Sequence, residues 1–135
     1  MKTKIIKQKV ILLADQNSVY KALMNSKEHS KFTGSEVNIK DKAGSKFTAY
    51  DGYIEGKNLE LVKGKKIVQY WKANESNWPE GHYSLVTFDL KKKGNSTELN
   101  FTHSEVPAAN AKSLNNGWKQ FYWDPMKEYF NKKQK

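Results

Sequence analysis

The sequence predicts a single α+β domain, an antiparallel sheet of about six strands curved around one long C-terminal helix. Three observations carry that prediction. Residues 108–132 repeat apolar side chains at helical spacing, residues 36–105 carry short apolar runs separated by turn signals, and helices and strands are segregated along the chain.

The opening segment, 4–13, is rich in Ile, Val and Leu with Lys interspersed, which suits an edge strand. Both of its alternation phases carry apolar residues, so the pattern does not say which face points inward. Asp15, Gln16, Asn17 and Ser18 supply helix-starting side chains before Val19, Tyr20, Ala22, Leu23 and Met24. Asn25 and Ser26 interrupt that helix. Ser26 caps a second short one over 27–32, which stops at Gly34.

Strand signals begin at Glu36. Val37 and Ile39 alternate, residues 42–44 turn the chain, and 46–50 is the next strand. Asp51-Gly52 is a two-residue hairpin signal. The return strand, 53–62, contains Gly56, which marks a bulge or a close backbone approach. Residues 63–65 turn into a strand over 67–72, and a polar loop with Trp78-Pro79 leads to a strand over 82–90. After a turn at 93–95 the last strand covers 97–105, and Pro107 ends it. Val86, Phe88 and Leu90 alternate in one of these strands, Leu99 and Phe101 in the other.

On a helix at about 100° per residue, Ala111, Leu114, Trp118, Tyr122, Met126 and Tyr129 form one stripe, with Phe121 and Trp123 at its edges. An apolar arc of about 200° is wider than a flat support can cover, so the sheet must be concave. Gly117 costs the helix about 1 kcal/mol relative to Ala. Pro125 has no N–H for the Phe121 carbonyl and is expected to bend the helix there.

The chain of 135 residues is long enough for one real core. It has no cysteine, which excludes disulfides, thiolate catalysis and zinc–thiolate sites. Residues 10–14, the best apolar run, are too short to span a membrane, and Lys7, Gln8 and Lys9 break any export signal. A cytoplasmic location is expected. The net charge is +10, yet every one of the 24 basic residues is lysine. Without arginine, bidentate phosphate and guanine recognition is poorly served, so no nucleic-acid partner is expected. The charge suits a solvated surface or a docking face for an acidic protein.

Chemistry-bearing residues are sparse. His29 is isolated and expected to be solvated. His82, His103 and Glu105 can approach one another on neighbouring strands, but their spacing is no metal signature. Ser84 and Ser104 lack a nucleophile-elbow context, and the glycines are spaced for hairpins rather than for a phosphate loop. No metal, no cofactor and no enzymatic activity are expected.

The run Trp71 to Phe88, WKANESNWPEGHYSLVTF, resembles the carboxy-terminal domain of the activator of heat-shock protein 90 ATPase. Other landmarks stand in step with it: Val19-Tyr20, Gly44 to Phe47 before Asp51-Gly52, Gly56 before Glu60-Leu61, Thr97 to Leu99, Val106-Pro107 and Gly117-Trp118. The resemblance covers about Val19 to Phe130. It implies the helix-grip fold of the START-like superfamily, and either of two roles. One is docking to the 90-kDa chaperone, which is acidic and would attract a +10 partner; the other is a pocket for a small apolar ligand between sheet and helix. The full activator carries a further amino-terminal domain with its main chaperone anchor, whereas this chain starts at the first strand of the carboxy-terminal module.

Phe47, Trp71, Phe101, Trp118, Tyr122 and Met126 are the residues that either fill the interior or line such a pocket. Trp78, in a polar loop before a proline, is either a lid on the helix or an exposed anchor for a partner. With His82 it is the candidate partner contact. A void above about 300 Å³ favours the ligand, and a filled interior favours the partner.

Overall fold

The computed structural model describes residues 1–133. Strand β1 (Thr3–Leu12) is followed by helices α1 (Gln16–Met24) and α2 (Ser26–Thr33). Strands β2 (Lys46–Ala49), β3 (Ile54–Val62), β4 (Lys66–Ala73), β5 (Ser84–Lys93) and β6 (Ser96–Pro107) come next. A 3-10 turn at Ala108–Asn110 opens the terminal helix, which consists of α3 (Ala111–Trp118), a π-helical turn at Lys119–Trp123 and α4 (Asp124–Lys133). All pairings are antiparallel, in a six-stranded sheet of order β1-β6-β5-β4-β3-β2. This is the predicted α+β architecture.

The two short helices start on side-chain caps. Asp15 accepts from the Ser18 N–H at 2.7 Å, and Asn25 accepts from the Glu28 N–H at 3.1 Å. Asn25, rather than Ser26, therefore caps α2, and Gly34 closes it in the left-handed conformation at φ 74°. Ser26 instead holds both main-chain groups of Ile39, donating to its carbonyl and accepting from its N–H. That tether explains why 37–39 is no strand: it makes a single bridge, Asn38 to Thr48.

The ambiguity of β1 resolves with Ile6, Val10 and Leu12 buried and Ile5 and Ile11 outward. Gly56 is the close approach, not the bulge. A Cβ there would lie 2.0 Å from the Tyr70 carbonyl oxygen and 2.7 Å from the Phe47 ring. The register shift falls between Asn58 and Glu60. The β2–β3 turn is longer than a two-residue hairpin, because Ala49 pairs with Ile54 and Tyr50, Asp51 and Gly52 all take positive φ.

The departure from α geometry sits in the turn before Pro125 rather than at the proline. Five residues of α-helix would place Trp118 and Trp123 about 140° apart. The wider π turn brings both inward, their rings stacked at 5.7 Å. It also turns Phe121 out, 49% exposed, and replaces Tyr129 by Phe130 as the deeply buried residue of the last turns. Trp123 then donates to Gln8 at 2.6 Å, and Gln8 donates to the Asn115 carbonyl, which ties the helix to β1.

Candidate functional site

Two features lie between the helix and the sheet: a buried hydrogen-bonded chain and an open apolar pocket beside it. The chain begins at Trp118, whose indole N–H can only donate and reaches Nδ1 of His103 at 2.9 Å. Nδ1 therefore accepts, which assigns the imidazole proton to Nε2, and Nε2 donates to the Ser84 hydroxyl at 2.7 Å. The Ser84 hydroxyl in turn donates a hydrogen bond to the Trp71 carbonyl at 3.0 Å. The direction matters chemically. A serine activated by histidine must donate to the imidazole, and here the imidazole donates to the serine. This Ser–His pair braces the helix against β4, β5 and β6, and burial drives the His103 pKa down to about 3.

His29 is not solvated, contrary to expectation. It is buried, with Nδ1 on the Leu23 carbonyl at 3.0 Å and Nε2 against the Tyr122 hydroxyl at 2.9 Å. The carbonyl fixes Nδ1 as the donor, so Tyr122 donates to Nε2. Desolvation lowers the His29 pKa to about 4 despite the bond to Leu23, so α2 is pinned to the terminal helix through a neutral ring. The sequence hid this because α2 shows no long apolar face, only His29 and Phe32 turned inward.

The pocket has a volume of about 380 Å³. Trp71, Leu114, Trp118 and Tyr122 are its buried wall, Tyr50, Tyr53 and Phe121 its more exposed rim, and Ile54, Ser113 and Gly117 complete it. Of the residues expected to line or fill the interior, Trp71, Trp118 and Tyr122 border this space. Phe47, Phe101 and Met126 are packed away from it: Phe47 faces Gly56, Phe101 lies 4.3 Å from the Trp118 ring, and Met126 is wholly buried. The rim residues Tyr50, Tyr53 and Phe121 were not legible as site residues. Tyr50 stands in a left-handed turn at φ 50°, a costly conformation for a bulky side chain, and its hydroxyl donates to the Phe121 carbonyl at 2.6 Å. A wider hollow of about 680 Å³ at the hairpin ends is walled by polar residues such as Asp15, Lys63, Lys65 and Lys92 and offers no apolar enclosure.

Trp78 folds back rather than standing out. It is 9% exposed, 5.9 Å from the Trp71 ring, and donates to the His82 carbonyl at 2.8 Å. His82 is half-buried and places Nε2 2.8 Å from the Glu105 carbonyl, in a bulge where Glu105 takes φ 56°. His82 and His103 thus have separate partners, and among the described residues no group of three or more His, Asp or Glu is placed to hold a metal.

A protein-family model described as Activator of Hsp90 ATPase homolog 1-like protein matches residues 14–131, nearly the whole structure. The chain belongs to this family. Within the activator family, the human Activator of 90 kDa heat shock protein ATPase homolog 1 is 28% identical over 122 residues, which is 90% of this chain and 36% of that protein. The corresponding Dictyostelium discoideum protein is 30% identical over 130 residues, covering 96% of this chain and 33% of the relative. The chain therefore spans about a third of the length of the curated relatives it matches. A crystal structure of an HSP90 activator from Plasmodium falciparum superposes with a TM-score of 0.86 at 26% identity, covering 94% of this chain and 96% of that one. The helix-grip fold implied by the Trp71 to Phe88 resemblance is thus shared with an activator-family relative along nearly the full length of both chains.

Proposed function

We propose that this protein is a non-enzymatic accessory module that binds the 90-kDa heat-shock chaperone of its own cell, in the cytoplasm. The observation that carries the reading is the family match over residues 14–131, with a Plasmodium HSP90 activator of nearly the same extent among the structural relatives. Surface charge supports it. The net charge is +10, and Lys63, Lys65, Lys66, Lys91, Lys92 and Lys93 cluster at the β3–β4 and β5–β6 hairpins. An acidic partner would be drawn to that end of the sheet, with weakening by salt. His82 and the loop over Trp78 remain the candidate partner contact at the opposite ends of those strands. The inward hydrogen bonding of His29 and His103 supports an absence of acid–base catalysis.

The test is a titration of the cognate chaperone at low and high salt, read by ATP hydrolysis and by direct binding. Binding that weakens as salt rises, with a small rise in hydrolysis, is the expected result. Absence of binding at low salt would overturn the proposal.

A second reading is favoured by one observation, the pocket of about 380 Å³, which exceeds the roughly 300 Å³ at which ligand pockets begin. On that reading the interior takes up a small apolar molecule. Stoichiometric, saturable uptake of the uncharged dye N-phenyl-1-naphthylamine would support it, and no uptake would remove it.

A further inference from the structure

We infer that the pocket between β4 and the π turn is a site for an uncharged, flat aromatic molecule carrying one hydrogen-bond acceptor, held by the indole N–H of Trp71. This rests on the second reading above and gives it a ligand class.

Gly117 supplies the first observation. It sits inside α3, where glycine weakens a helix, and it borders the pocket. Its φ is not in the left-handed region, and a Cβ built on it meets only Phe121 Cδ2, at an ordinary 3.8 Å. Gly56 is different, since a Cβ there collides with backbone. Neither conformation nor crowding requires glycine at 117. What its missing side chain does provide is space in the pocket wall.

The unused donor is the second observation. Of the four tryptophans, Trp78, Trp118 and Trp123 each donate an indole hydrogen bond, to His82, His103 and Gln8. Trp71 makes none among the described residues. Its nitrogen is also not a fully buried orphan, a state found among the described residues only for Asn110 Oδ1. The nitrogen therefore touches accessible space, and Trp71 is one of the residues that line the pocket. The tyrosine hydroxyls around the site are already committed: Tyr50 to Phe121, Tyr53 to Glu75 and Tyr122 to His29.

The lining sets the rest of the chemistry. No Lys, Asp or Glu borders the pocket, so a charged ligand would be desolvated without a counter-ion. Tyr50, Tyr53, Trp71, Trp118, Phe121 and Tyr122 present ring faces and edges that suit an aromatic guest. The volume, at the low end for small-molecule sites, limits that guest to a few fused rings.

The experiment uses three probes of one shape: 2-acetylnaphthalene, 2-isopropenylnaphthalene, which lacks the acceptor, and 2-naphthoate, which is charged. Binding is followed by the indole ¹H–¹⁵N resonances, with Trp71 identified by its loss in Trp71→Phe. The ketone is expected to shift the Trp71 resonance downfield and to bind about fivefold tighter than the alkene, the size of one net hydrogen bond. It should bind at least about tenfold tighter than the carboxylate. Trp71→Phe should bind ketone and alkene equally, and Gly117→Leu should raise the melting temperature while weakening ketone binding more than about tenfold. Equal affinity for all three probes in the wild-type protein would overturn the inference and leave the apolar pocket standing. Binding of none of them, with no uptake of N-phenyl-1-naphthylamine, would overturn both. Unchanged ketone affinity in a folded Gly117→Leu variant would place the ligand elsewhere and overturn the inference.

Discussion

The Tyr50 hydroxyl donates to the Phe121 main-chain carbonyl at 2.6 Å, the carbonyl that in α-helical register would bond to residue 125, where Pro125 has no N–H. A turn residue of the β2–β3 hairpin thus completes the backbone bonding of the terminal helix, and positive φ at Tyr50 is what the turn tolerates to reach it. Tyr50→Phe should destabilise by about 1 kcal/mol, the net worth of such a bond. In a Pro125→Ala background, where an N–H is restored, the same change should cost less than about 0.5 kcal/mol. Chemical denaturation of the four proteins measures the coupling, and additive costs would mean the hydroxyl does not stand in for the helix donor.

Two glycines should respond in opposite directions to the same added methyl. Gly56→Ala should destabilise by about 3 kcal/mol or prevent folding, since the Tyr70 carbonyl that blocks its Cβ belongs to the sheet. Gly117→Ala should stabilise by about 1 kcal/mol, because its Cβ meets no obstacle and the helix gains propensity. Thermal melts of both variants decide it. A loss of stability in Gly117→Ala would show a structural need for that glycine.

Trp118→Ala should cost about 3–5 kcal/mol, the range for emptying a large buried ring. Trp118 is 3% exposed and stacks on Trp123, and its loss also strips the donor from His103 Nδ1. Trp118→Phe should recover part of that cost but leave the imidazole acceptor unpaired. A cost below about 1 kcal/mol for the alanine variant would contradict the packing described for the helix.

Acid should unfold the protein earlier than its carboxylates alone dictate. His29 and His103 titrate near 4 and 3 in the folded state, against an ordinary 6.5 when unfolded. Below pH 6.5 the unfolded chain therefore binds protons that the folded chain refuses, so stability falls as pH falls. The contribution is intact above 6.5 and drops by up to about 1.4 kcal/mol per pH unit for each ring, until the folded histidines themselves protonate. Urea midpoints between pH 7.5 and 4.5 test this. A variant carrying His29→Gln and His103→Gln should start less stable and lose less on acidification, and an unchanged slope would exclude the two rings as its source.

Much of this architecture was legible from residue order. Alternation in Val86, Phe88 and Leu90 gave the inward face of β5, and helical spacing gave Ala111, Leu114, Trp118, Tyr122 and Met126. What the 3.6-residue period could not give was the π turn, because one inserted residue shifts the phase of the turns after it, which leaves Met126 buried but exchanges Tyr129 for Phe130. The strand expected at 37–39 failed because Ser26, a residue read as a helix cap, bonds both main-chain groups of Ile39. At the site, the buried wall could be named from aromatic content, whereas the rim depends on Tyr50 and Phe121 meeting across a turn that no local pattern encodes. The partners of His29 and His103 are long-range as well. Periodicity reports burial but not who donates to whom.

Pairing of β1 with β6 sets Thr3 opposite Pro107 and Leu12 opposite Thr97, the two ends of the sheet sequence. On a ribosome β1 emerges first and finds its partner last, after every other strand has left the exit tunnel. For that interval Ile5, Ile6, Val10, Ile11 and Leu12 form an unpaired, β-prone segment of the kind that captures neighbouring nascent chains. Lys4, Lys7 and Lys9, exposed in the folded sheet, are placed to keep it apart from such neighbours while it waits. The long-range closure also raises the contact order, a feature that slows folding as a whole.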